Sequence, residues 1–160
     1  MGNCGQILIA DDDSDFVVLL QVALKNAGFS NEVQSVETGL KFIDYLEGRA
    51  EYADRGSHPM PALVFVDLKL PARHGFELLR WIRKQPELNE LIVVMMSGFS
   101  FTNEAQVAHD LGANAFMAKP LRFDSLVRTL EQQREAWCPS GPAQPVAERE
   151  SQFVEAGQAK

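Results

Sequence analysis

The chain has 160 residues, 46% hydrophobic and 23% charged, which is the make-up of one soluble globular domain able to bury a core. A formal charge of -7 excludes the basic footprint of a nucleic-acid or anionic-membrane binder. No run approaches the roughly 18 apolar residues of a membrane span, and the first residues lack a basic, then apolar, leader, so a cytoplasmic protein is expected.

Gln6-Ile7-Leu8-Ile9-Ala10 is a short apolar run that stops on Asp11-Asp12-Asp13, a strand followed by an acidic cluster. Asp13 or Ser14 can cap the next helix, whose apolar positions are Phe16, Val17, Leu20, Ala23, Leu24 and Ala27, with Gly28 at its close. Residues 32–36 form a weaker, more polar strand suited to a sheet edge. Thr38 then starts a short helix with Leu40, Phe42, Ile43 and Leu46 as its stripe. Residues 47–61 dissolve into Gly, Pro, Ser, His and charges, a long connection where about 2–6 residues is usual. Function and solvated padding are both open for it.

Leu63-Val64-Phe65-Val66 is an unbroken apolar run ending abruptly on Asp67, as a strand buried on both faces would. Lys69, Pro71 and Gly75 mark a loop, and Phe76, Leu78, Leu79, Trp81 and Ile82 give the next helix, stopped near Pro86. A second run, Leu91-Ile92-Val93-Val94-Met95-Met96, ends on Ser97-Gly98. A helix spans about 103–111, and Ala115-Phe116-Met117-Ala118 ends on Lys119-Pro120. The last helix starts near Asp124, read as its N-cap, and carries Leu126, Val127, Leu130 and Trp137 on one face. From Pro139 onward the residues are too polar to fold a unit, so disorder is expected over 139–160. Cys4 and Cys138 have no ligand-like neighbours and read as free thiols.

Five strand–helix units in alternation imply a parallel sheet covered on both faces, with right-handed crossovers. Ligands bind such sheets at the carboxyl ends of the strands. Asp11, Asp12, Asp13, Asp67, Ser97 and Lys119 all fall on that rim. Clustered carboxylates invite a hard divalent cation, Mg²⁺ being the natural choice. The lysine supplies a point charge for a phosphoryl group, the hydroxyl a hydrogen bond, and an aspartate a nucleophile. Asp13 and Asp15 read as helix-start charges, His58 and His109 as surface residues, and Met95, Met96 and Phe65 as core. Trp81 is either a core anchor or part of an exposed patch. Trp137 is either an exposed dimerisation residue or buried against the sheet.

Over residues 6–137 the chain resembles the receiver domains of two-component response regulators. The motifs are the acidic pair Asp11-Asp12, Asp67 at the third strand's end, Ser97, Phe116, and Lys119-Pro120. The resemblance implies a receiver domain over 1–138 with a flavodoxin-like, doubly wound, five-stranded parallel sheet. It implies Asp67 as phosphoacceptor from a sensor histidine kinase, with Mg²⁺ held by Asp11, Asp12, Asp67 and the backbone carbonyl of Lys69. Lys119 would neutralise the phosphoryl group, Ser97 would swing to it, and Phe116 would take the vacated space. The Lys119–Pro120 bond is cis in the family. Such a chain is no enzyme beyond its own phosphorylation and dephosphorylation. It would signal by binding or as a homodimer through the fourth and fifth helices, with residues 98–111 and Phe116 as readout.

The 47–61 loop, the segment 67–71 and the helix ending in Trp137 further resemble stand-alone receivers paired with bacterial phytochromes. Three positions depart from many relatives: Lys69 in place of Asn, which bears on phosphate lifetime; His74 in place of Asp; and Ser97 in place of Thr. Two other classes compete. A haloacid-dehalogenase-like phosphatase would use Asp11, Asp13, Ser97 and Lys119, but it leaves Asp67 unexplained and lacks the following acidic pair. A receiver-like binding module without phosphorylation has only Lys69 in its favour.

Overall fold

The run Leu63-Val64-Phe65-Val66 lies at the middle of a parallel sheet. In the computed structural model, which describes residues 5–98, 103–119, 122–138 and 154–156, that run belongs to β3 (Pro61–Asp67). The other strands are β1 (Gln6–Ala10), β2 (Val33–Val36), β4 (Ile92–Ser97), β5 (Ala115–Ala118) and β6 (Val154–Ala156). They pair in the order β2-β1-β3-β4-β5-β6, every neighbour parallel. The polar β2 takes one edge, as its sequence suggests, while β1 and β4 are buried along their whole length.

Among the described residues five α-helices cover the sheet: α1 (Ser14–Asn26), α2 (Gly39–Glu47), α3 (Gly75–Arg83), α4 (Glu104–Asp110) and α5 (Phe123–Trp137). Alternate strand residues face opposite sides. Ile7, Ile9, Phe65, Val94 and Met96 pack with Leu20 and Leu24 of α1 and Leu126, Leu130 and Trp137 of α5. Leu8, Ala10, Val64, Val66, Val93 and Met95 pack with residues of α2, α3 and α4, and Trp81 packs partly buried against that second cluster. The parallel register brings Ala10 level with Val66, and Asp67 level with Met96, so the strands end together along one rim.

Caps set the helix starts. The Asp13 side chain accepts from the N–H groups of Asp15 and Phe16, Thr38 from Lys41, and exposed His74 from Phe76. α5 begins one residue before Asp124, with Arg122 at the cap position; Asp124 sits in the first turn, where a carboxylate still meets the positive helix end. Of the two readings of Trp137, burial against the sheet is the one that holds. The residue is 3% exposed, its ring edge-on to Phe65 at 5.8 Å between centroids.

The 47–61 connection is built around Arg55 rather than being padding. Its guanidinium donates to the carbonyls of Tyr45 (2.7 Å), Leu46 (2.8 Å) and His58 (3.0 Å), thereby supplying donors to the last carbonyls of α2. Tyr45, Tyr52 and His58 form a ring triangle, and His58 Nδ1 lies 2.9 Å from Gln34 Oε1. His58 is therefore part of the loop's scaffold and not a plain surface residue.

Residues 154–156, inside the stretch expected to be disordered, form the short strand β6. Val154, Glu155 and Ala156 pair with Ala115, Phe116 and Met117, so the edge of β5 gains the ladder partners it would otherwise lack. The rest of 139–160 lies outside the described residues. The free-thiol reading also fails at Cys138. Its sulfur is in a disulfide and buried where Asn31 Nδ2 reaches both the Gly5 carbonyl (2.5 Å) and Cys138 Sγ (3.8 Å). Cys4 is the chain's other cysteine and lies outside the described residues. Pro120 also lies outside them, and with it the expected cis bond.

Candidate functional site

Each strand end on the rim delivers one chemical group. Asp11 directly follows β1, Asp67 and Ser97 are the last residues of β3 and β4, and Lys119 directly follows β5. Chain reversal into a helix begins at these points, so their side chains escape the sheet's packing while their backbones stay fixed by it. The Lys119 N–H donates to the Ser97 carbonyl at 2.8 Å, continuing the ladder to the site.

The structure brings the expected residues together. Lys119 Nζ stands 2.7 Å from Asp11 Oδ2 and 3.0 Å from Asp67 Oδ2, with the Phe16 ring centroid 4.7 Å away. Oxygens of Asp11, Asp12 and Asp67 all lie within 4.8 Å of one another. Asp11 and Asp67 are buried, whereas Asp12 is exposed at the mouth. Three carboxylates against one ammonium leave an excess of negative charge. Burial pushes the Asp11 carboxyl above its usual range, although the Lys119 ammonium and the Asp13 N–H pull the other way. For Lys119 burial pulls down, and the neighbouring carboxylates of Asp11 and Asp67 outweigh it, so the ammonium is held above its usual range.

The donor set fits a hard divalent cation. Asp11 Oδ1 accepts from the Asp13 N–H at 2.9 Å, but its buried Oδ2 has no hydrogen-bond partner among the described residues. The nearby ammonium gives it a charge contact without the alignment of a hydrogen bond. A cation shared with Asp12 and Asp67 would satisfy that oxygen. Lys69 is exposed, and its N–H donates to Asp67 Oδ1 at 3.2 Å, which puts the loop backbone at the site.

Ser97, 1% exposed, does not turn to Asp67; its hydroxyl donates to Glu104 Oε1 at 3.3 Å. Phe116, 2% exposed, is already packed in the cluster that includes Ala105 and Ala108 of α4. Asp13 and Asp15 serve the start of α1, as read.

Three contributors escape sequence reasoning. Glu104 opens α4 with nothing in the sequence to single it out, and Phe16 is one of the apolar positions of α1. Gly75 stands where a Cβ would come 2.6 Å from the Asp67 carbonyl oxygen and 2.8 Å from Leu68 Cα, so only glycine lets α3 start this close to the site. A glycine opening an otherwise apolar helix is the one available signal.

The family described as the response regulator receiver domain matches residues 7–131. The response regulator Rcp1 of Synechocystis is 25% identical over 82% of this chain and 87% of its own length. A response regulator in red light signaling of R. palustris, RPA3017, superposes with a TM-score of 0.79 at 26% identity, covering 88% of this chain and 99% of that one. The phosphorylated cyanobacterial phytochrome response regulator RcpA gives a TM-score of 0.73 at 29% identity, covering 82% and 92%.

Proposed function

Because the chain belongs to the response regulator receiver family of two-component systems, we propose that it accepts a phosphoryl group on Asp67 from a sensor histidine kinase. The observation that carries this is the Lys119 ammonium held between buried Asp11 and Asp67. Phosphoryl transfer asks mainly for positioning and charge neutralisation, and this arrangement supplies both.

An Asp67 carboxylate oxygen attacks phosphorus. The phosphorus–nitrogen bond of the phosphohistidine breaks, the imidazole leaves with the electron pair, and an acyl phosphate forms on Asp67. Lys119 neutralises the incoming oxygens while keeping its hold on Asp11. Mg²⁺, held by Asp11, Asp12, Asp67 and the Lys69 carbonyl, would supply further charge neutralisation. Ser97 donates its hydroxyl proton to a phosphoryl oxygen, and the change is passed to Phe116 and α4. Apart from forming and losing its own phosphate the chain turns over nothing.

The likeness to proteins described as acting in red light signaling and as a phytochrome response regulator supports a phytochrome-type kinase as partner. Among the described residues no helix is long and apolar enough to cross a membrane, and a cytoplasmic place of action fits that reading. Signalling by phosphorylation-dependent binding or pairing through α4 and α5 completes the proposal.

The test is intact mass after incubation with acetyl phosphate, with and without Mg²⁺, for wild type and Asp67→Ala. One added phosphoryl mass, dependent on Mg²⁺ and absent from the variant, is the expected result. An adduct that persists in Asp67→Ala overturns the assignment.

A further inference from the structure

We propose that Glu104 is a positioning residue that holds the Ser97 hydroxyl away from the phosphoryl site until Asp67 is phosphorylated. The inference rests on the reading of Asp67 as phosphoacceptor and adds a competitor for the group that must answer it. Ser97 carries one hydroxyl proton. In the structure that proton goes to Glu104 Oε1 at 3.3 Å, on the first residue of α4. A phosphoryl oxygen on Asp67 can receive it only if Glu104 gives it up.

The distance is long for a hydroxyl–carboxylate bond, whose usual range is about 2.5–3.0 Å, so the hold is weak and readily exchanged. A tighter bond would lock the unphosphorylated state; with none at all, α4 would not oppose the turn of Ser97 toward the phosphoryl site. Exchange also has a consequence at the carboxylate. Glu104 loses the Ser97 hydroxyl just as negative charge arrives nearby, which drives the first turn of α4 outward. Ala105 and Ala108 of that helix share a cluster with buried Phe116, so the displaced turn reaches the residue proposed for readout. The loss of one hydroxyl contact thereby becomes a shift of a helix.

Two measurements test this. Side-chain scalar couplings of Ser97 report its rotamer whether or not Asp67 is ever phosphorylated. A single rotamer is expected in wild type, averaging in Glu104→Ala, and a single rotamer again in Glu104→Gln, which keeps an acceptor oxygen. The second is the rate of Asp67 phosphorylation by acetyl phosphate with Mg²⁺. Glu104→Ala should speed it about fivefold, the scale of one weak bond to a charged group. The same change made in a Ser97→Ala background should leave that background's rate where it was.

A Ser97 rotamer indifferent to Glu104→Ala overturns the latch. So does a rate that stays unchanged while the rotamer averages, or one that rises equally with and without the Ser97 hydroxyl. A rotamer that responds in a protein that no donor phosphorylates overturns the phosphoacceptor reading itself, and the latch's role with it.

Discussion

Lys119 Nζ donates to Asp67 Oδ2 at 3.0 Å across 52 residues of chain. The pair exists because two strands two places apart in the sheet end on the same rim. The same ammonium lies 2.7 Å from Asp11, so one cation serves two buried carboxylates. Removing it in Lys119→Met leaves Asp11 and Asp67 facing each other. In chelator at neutral pH the variant should lose up to about 3 kcal/mol in urea denaturation. The pH dependence follows from Asp11, whose folded pKa lies above its unfolded 3.8 even with Lys119 present. In that window the folded state binds more protons than the unfolded one, so stability rises as pH falls. The variant lacks the cation's opposing pull, so the gap to wild type should narrow on acidification.

Gly75 fixes where α3 begins. Its N–H donates to the Leu68 carbonyl at 2.8 Å, and a Cβ would meet the Asp67 carbonyl oxygen at 2.6 Å. The backbone on both sides must move to admit it. Gly75→Ala is expected to cost about 1–3 kcal/mol in thermal or chemical denaturation. By displacing Asp67 it should also slow phosphorylation by about tenfold. A variant as stable and as readily phosphorylated as wild type would mean that α3 can slide, contrary to the packing of Leu78, Leu79 and Ile82.

Cys138 directly follows α5 and is disulfide-bonded. Within one chain its only available partner is Cys4. Peptide mapping without reductant should therefore yield a Cys4–Cys138 cross-linked pair. Reduction, or Cys138→Ser, should lower the stability by about 2–4 kcal/mol, since the bond closes nearly the whole domain. Two free thiols in the isolated, unreduced protein would refute the pairing.

The rim is legible in the sequence because its residues end apolar runs. Asp11, Asp67, Ser97 and Lys119 each end or follow a stretch that reads as a buried strand, and a parallel sheet brings such ends together. The helix faces are legible for the same reason of spacing. What is not legible depends on pairs without a pattern. Glu104 in a first turn looks like any helix-start charge until Ser97 is seen opposite it. Arg55 in a polar loop gives no hint that it serves three carbonyls. Val154, Glu155 and Ala156 lack the apolar run that marks a strand, because an edge position needs only backbone partners.

The loop that Arg55 organises gives the clearest spectroscopic handle. Tyr45 and Tyr52 are the chain's only tyrosines, and their ring centroids lie 5.0 Å apart. Burial raises both phenols; that of Tyr52, with Glu51 adding repulsion, is pushed up to about 12. Neither should ionise at the ordinary value of 10, so tyrosinate absorbance in the folded protein should lag well behind that in urea. The sign for stability follows. Above the unfolded pKa of 10 the unfolded chain sheds protons that folded Tyr52 keeps until about 12, so stability falls as pH rises through that interval. Lys119 adds a loss of the same sign as pH rises through its own raised folded value. Tyr52→Phe should flatten the slope without abolishing it. Coincident titration of both tyrosines in folded and unfolded protein would show that Arg55 does not hold the loop closed over them.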